Sequence, residues 1–236
     1  MGKNLISQKR GKGSGRYRAP SFRYAGECAY GEREPTTCMI IELLHSQGHS
    51  APLLRVRYAD GKEALIVAPE GVRVGDMLSV NSEEARTGNT MLLEKILAGT
   101  IICNLELIPG DGGKLIRAAG AYGKVLSKIG NKILVQMPSK EEKIFNGKCM
   151  AMIGNVAAAG KVSKPWLKAG IRYFAMHARN KRYPRIHGIS MNAVNHPFGG
   201  SSSHHKGKPT IAPKNAPPGR KVGKIRPSRT GRRKKN

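Results

Sequence analysis

Apolar and polar positions alternate with a period of two along much of the first two thirds of this chain, and Gly, Pro and Asn interrupt the alternation. The run TTCMIIELLHS (36–46) is short, apolar and β-branched, which predicts a strand. PLLRVRYADGKEALIVAP (52–69) alternates through Leu54, Val56 and Tyr58, turns at Asp60-Gly61, and resumes through Leu65, Ile66 and Val67. Asp-Gly supplies the positive φ angles of a type I′ turn, so a hairpin is expected. GVRVGDMLSV (71–80) and GTIICNLELIPG (99–110) predict further strands, while MLLEKIL (91–97) fits a helical turn as well as a strand. Short strands at this spacing indicate a small barrel. PGDGG (109–113) reads as a boundary, and residues 114–156 repeat the pattern with turns at Gly130-Asn131 and Asn146-Gly147, predicting a second small barrel.

Patterning fades after Gly160. KVSKPWLKAG (161–170) predicts a short helical turn, with Trp166 packing it on the second barrel. Beyond residue 176 apolar residues are too few to bury a core. The expected division is a basic N-terminal extension (1–35), a first barrel (36–110), a second barrel with a short helical turn (111–175), and a basic C-terminal extension (176–236).

Charge sharpens that division. The 236 residues carry 42 Lys+Arg against 15 Asp+Glu, a formal +27. Residues 1–26 hold seven basic residues and no acid, and residues 143–236 hold twenty-two and no acid. Residues 27–142 hold all fifteen acids beside thirteen basic residues. Acid-free stretches of this length repel themselves and compact against a polyanion, so nucleic acid is the expected partner. A membrane partner is not expected: no apolar run approaches a span, and Ile6 occupies the Ser/Thr position of the myristoylation pattern. MGKNLISQKRGKGSGR lacks the apolar core of a signal peptide, which points to the cytoplasm. Cys28, Cys38, Cys103 and Cys149 are scattered, with no CxxC pair, and are expected to be reduced, buried or incidental rather than a disulfide framework.

The candidate contacts are cations set among Gly, Pro and aromatic residues. In the N-terminal stretch Arg10, Lys12, Arg16, Arg18 and Arg23 alternate with Tyr17, Phe22 and Tyr24, a mixture suited to phosphates and unpaired bases. Downstream come Lys168, then Arg179, Lys181, Arg182 and Arg185, then Lys206 and Lys208. Arg220, Lys221, Lys224, Arg226 and Arg229 follow; the terminal TGRRKKN suits a solvated tail as well as RNA contact. Arg forms bidentate phosphate contacts and stacks on bases, whereas Lys supplies point charge.

The loop HGISMNAVNHPFGG (187–200) needs separate treatment. Asn192 and His196 can reach sugar or base edges, Pro197 stiffens the turn, and Gly199 and Gly200 permit close backbone approach. Catalysis by His196 would need an orienting partner and a nucleophile; Asn195 supplies no carboxylate. Metal binding by His204-His205, or by His45 and His49 around Gly48, lacks zinc spacing. No catalytic residue, metal ligand or cofactor is therefore expected, and magnesium nearby would be held mainly by RNA.

Seven segments in order complete the picture: RGKGSGRYRAPSFRY, YADGKEALIVAPEGVRVGD, NLELIPGDGGKLIRAAGAY, LKAG, MNAVNHPFGG, GKPT and APPGRKVGKIRPSRTGR. Through them the chain resembles, nearly end to end, the universal large-subunit ribosomal protein L-two family in its archaeal and eukaryotic form. The resemblance implies an all-β protein, an OB-like small barrel followed by an SH3-like one, with long basic extensions in ribosomal RNA. It implies a structural role near the peptidyl transferase centre, with subunit association, tRNA binding and assembly. Implied partners are large-subunit ribosomal RNA, neighbouring ribosomal proteins, tRNA and the small subunit. The same resemblance buries the 191–200 loop in RNA and links His196 to discussions of peptide-bond formation. Asn195 stands where the family usually has an acid, Phe198 where bacterial members have a second histidine, and SSSHHKGKPT is less Gly-rich than usual. A role needing an acid–histidine pair is thus not expected. The alternative from the residues alone is a free-standing RNA-binding regulator or RNA chaperone.

Overall fold

The computed structural model describes residues 2–200 and 209–228. The chain forms two compact units: Pro20–Leu167, and Met1–Ala19 together with Lys168–Asn236.

The first unit is all-β. Strands β1 (Thr36–Leu44), β2 (Leu53–Tyr58), β3 (Glu63–Val67) and β4 (Met77–Val80) form an antiparallel sheet in the order β3-β2-β1-β4. The expected hairpin is present, with Leu53 opposite Val67 and Arg57 opposite Glu63. Its turn differs from a type I′ pair. Gly61 alone adopts a positive φ (85°), because the Asp60 carboxylate turns back to accept the Lys62 N–H at 3.1 Å.

Strands β5 (Thr90–Leu92), β6 (Ile101–Cys103), β7 (Gly123–Ile129), β8 (Lys132–Gln136), β9 (Glu142–Asn146) and β10 (Met150–Ile153) form a second antiparallel sheet, ordered β5-β10-β6-β7-β8-β9. An OB-like barrel is thus followed by an SH3-like one. The ambiguous MLLEKIL run is both things in turn, a strand to Leu92 and a 3₁₀ turn at Leu93–Lys95. The 99–110 run does give a strand, but β6 pairs with β7 and β10. Its two buried residues, Ile102 and Cys103, would suit either barrel, and long-range backbone pairing decides.

One continuous core, from Cys28 to Val156, serves both barrels. Backbone bonds tie them directly: Ala157 N–H to Ala68 O at 3.0 Å, and Glu70 N–H to Asn155 O at 2.9 Å. All four cysteines are free and buried. Burial pushes the thiol of Cys38 up to about 11 and that of Cys103 up to about 12, so both pack as small apolar groups.

The PGDGG segment is organised by two carboxylates. Asp111 accepts the N–H groups of Leu107 and Ile108 on one oxygen and of Gly113 on the other. Glu106 is fully buried; one oxygen accepts Gly110 and Gly112 N–H at 3.2 Å each, and the other accepts Met150 N–H at 2.9 Å. Arg33 lies 4.0 Å away. Both oxygens must therefore accept. Glu106→Gln is expected to destabilise this unit by about 2–4 kcal/mol in urea titration, because an amide NH₂ would face a backbone donor in either orientation. An unchanged midpoint would contradict that.

The expected helical turn near 161–170 is α2 (Gly160–Ser163), but Trp166 beyond it stays 43% exposed. In the second unit, α1 (Ile6–Gly11) and α3 (Ala169–His177) stand out from irregular chain. α1 starts where Leu5 N–H is capped by Gln8 Oε1 at 2.7 Å. A short parallel pair, β11 (Ile211–Ala212) with β12 (Lys224–Ile225), completes it. Only Leu5, Phe198, Ala212 and Ala216 are buried among its described residues. Hydrogen bonds rather than a core hold its shape.

Candidate nucleic-acid interface

The second unit contains none of the fifteen acidic residues, so no carboxylate side chain within it can neutralise its cations. Both ends of the chain build it. The Asn180 amide donates to Gly15 O at 3.2 Å and Arg18 O at 2.8 Å, and Lys3 N–H donates to Val194 O at 2.9 Å. Asn180 sits at φ 51°, a left-handed position that Asn tolerates and that turns the chain out of α3.

That turn makes a cationic concavity of about 650 Å³. Arg10 from α1, Arg172 from α3, and Arg179, Lys181, Arg182 and Arg185 line it, with Met176, Tyr183 and Pro184. The Arg172 guanidinium lies 5.1 Å from the Tyr183 ring centroid, a cation–π contact that orders both. Arg172 and Tyr183 escape a reading by composition. Arg172 and Met176, four residues apart, share one face of α3, and Arg179 follows in the turn after it, its N–H on Met176 O at 3.2 Å. Gly170 inside the helix, next to the β-branched Ile171, weakens its helical signal in the sequence.

The predicted residues distribute unevenly. Arg10, Arg179, Lys181, Arg182 and Arg185 converge in the concavity. Lys12, Arg16 and Arg18 are exposed just beyond α1, and Lys168 stands at the residue before α3 with no side-chain capping bond. Arg23 belongs to the other unit, 5.3 Å from the Phe22 ring. Arg220 and Lys221 line smaller cavities, Lys224 lies in β12, and Arg226 follows it at φ 39°. Lys206, Lys208 and Arg229, with His204, His205 and Arg232–Lys235, lie outside the described residues.

In the 187–200 loop, the Phe198 N–H donates to His196 Nδ1 at 3.1 Å. Burial, and then the charge of Arg182, pull the imidazole below its usual range, so it is neutral at pH 7. With Nδ1 accepting, the proton of the neutral ring belongs on Nε2, which can then donate. The ring lies on Gly188, where a Cβ would come within 2.3 Å of it. Asn192 keeps an exposed side chain, and its carbonyl accepts Asn195 N–H at 2.9 Å and His196 N–H at 3.2 Å. The two glycines are used by the loop itself. A Cβ on Gly199 would lie 2.2 Å from Met191 O, and Gly200, at φ 96°, packs on Ala193. At His49, the other singled-out histidine site, Nδ1 pairs with Ser46 Oγ at 2.9 Å.

Residues 86–218 match the family described as Ribosomal Proteins L2, C-terminal domain. The large ribosomal subunit protein uL2 of Archaeoglobus fulgidus is 46% identical over 237 residues, covering 99% of this chain and all of that protein. That of Methanococcoides burtonii is 47% identical over 237 residues with the same coverage. That of Methanocaldococcus jannaschii is 46% identical over 242 residues, again covering 99% of this chain and all of its own length. With identity this high across its full length, the chain belongs to the uL2 family of large ribosomal subunit proteins.

Proposed function

We propose that this protein is a non-catalytic structural constituent of the large ribosomal subunit in the cytoplasm, binding ribosomal RNA chiefly through its acid-free unit. It would thereby support assembly near the peptidyl transferase centre, subunit association and tRNA binding, alongside neighbouring ribosomal proteins. The observation that carries this is the cationic concavity, where both chain ends bring Arg10, Lys181 and Arg185 to one surface free of carboxylates. Cations placed so can follow a folded phosphate backbone, and fixing them beforehand reduces the ordering cost of binding. A neutral His196 that donates through Nε2 fits contact with sugar or phosphate oxygen.

Replacing Arg10, Lys181 and Arg185 together by Gln tests the assignment. The three are exposed, so folding should survive. Binding of a large-subunit ribosomal RNA transcript should weaken, with the log K against log salt slope shallower by about 2–3. An unchanged slope would remove the concavity from the interface.

A further inference from the structure

One cavity of the acid-free unit is chemically unlike its surroundings. Pro197, Phe198, Pro209, Ile211 and Val222 line a mostly apolar slot of about 470 Å³, with Gly219 and the exposed Arg220 at its edge. That volume falls in the ~300–1,000 Å³ range of small-ligand pockets. Its walls are held in place: Lys224 N–H donates to Thr210 O at 2.8 Å, and Arg226 N–H to Ala212 O at 2.9 Å. Gly223 permits this pairing, since a Cβ there would lie 2.1 Å from Thr210 O. Phe198 is braced from behind by the His196 ring at 5.0 Å, while Ile211 remains 43% exposed. An open apolar slot favours an occupant with apolar faces.

The neighbouring wall narrows the chemistry. Val222 also lines a second cavity of about 240 Å³, shared with Arg182, His196 and Lys221. Residues 220–222 thus carry an apolar face flanked by two cations, in a unit with no carboxylate. An occupant that matches has flat apolar faces and an anionic group attached close by. A nucleotide has that form. We propose that the slot receives one unstacked nucleobase of the bound RNA, with its adjoining phosphate on Arg220 and Lys221. This rests on the RNA-binding function above and adds a base site to it. The Pro197, Pro209, Ile211 and Val222 walls, backed by the buried Phe198, contact a base face without reading hydrogen-bond edges, so all four bases should be accepted.

The test uses the full chain and two single-stranded RNA octamers of equal charge, one of adenylates and one abasic at its internal positions. The adenylate octamer should bind roughly five- to hundredfold more tightly, the effect of one stacked base. Ile211→Gln, uncharged and at an exposed position, should cut that difference to about twofold while leaving the salt slope unchanged. Equal affinity for both octamers, with a steep salt slope, would overturn the slot while leaving the electrostatic interface standing. A base preference that persists in Ile211→Gln places the stacking elsewhere and also overturns the slot. A flat salt slope for both octamers would instead sink the RNA-binding function itself.

Discussion

A fragment limited to Pro20–Leu167 is expected to bind large-subunit ribosomal RNA with a shallow salt dependence, while the full chain loses affinity steeply as salt rises. The fragment retains the entire continuous core and both barrels, so it should fold alone with a cooperative β-type transition. What it loses is the acid-free unit, which carries twenty-four of the 42 Lys and Arg residues. If about ten of those contact phosphate, log K for the full chain should fall by roughly 7–9 per decade of salt. Filter binding from low to moderate salt measures both slopes. Equal slopes would show that the barrels, and not the extensions, carry the electrostatic contact.

The second large effect is expected in the 187–200 loop, and its order among variants is the informative part. Gly199→Val forces a branched side chain into the Met191 and Asn192 carbonyls, which a Cβ alone would already approach within 2.2 and 2.5 Å. The loop must then open, with Phe198 and His196 leaving their places. Particles assembled with this variant should lack the protein or fail to join the small subunit. His196→Gln keeps a donor and an acceptor of similar reach, so assembly and peptide transfer should stay near normal. A general-base role predicts the reverse, intact particles with transfer slowed by roughly a hundredfold or more. Single-turnover peptide transfer on composition-checked particles separates the two.

The hairpin over 53–67 was legible because alternation and an Asp-Gly break are local signals, although the Asp60 carboxylate set a different turn type from the one expected. The sheet joined by β6 was not, since Ile102 and Cys103 are equally apolar to either barrel and their partners lie at Gly123 and Met152. Charge segregation exposed the interface as a class of residues. It could not say that Arg10 meets Arg185 across more than 170 positions of sequence, because Asn180 and an unforeseen helix make that juncture. Gly199 and Gly200 were legible as positions of close approach, but the structure turns that closeness inward, onto the loop's own backbone. Local periodicity cannot report which surface a glycine serves.

The central claim is that this chain is a resident part of the large subunit, and sedimentation tests it most directly. In a cell extract resolved on a sucrose gradient with magnesium and moderate salt, nearly all of the protein should travel with large subunits and joined ribosomes. A wash at high salt should release it only as the particles themselves come apart. Most of the protein near the top of the gradient, free of ribosomal RNA under the same gentle conditions, would contradict the account and favour a free-standing RNA-binding regulator or chaperone.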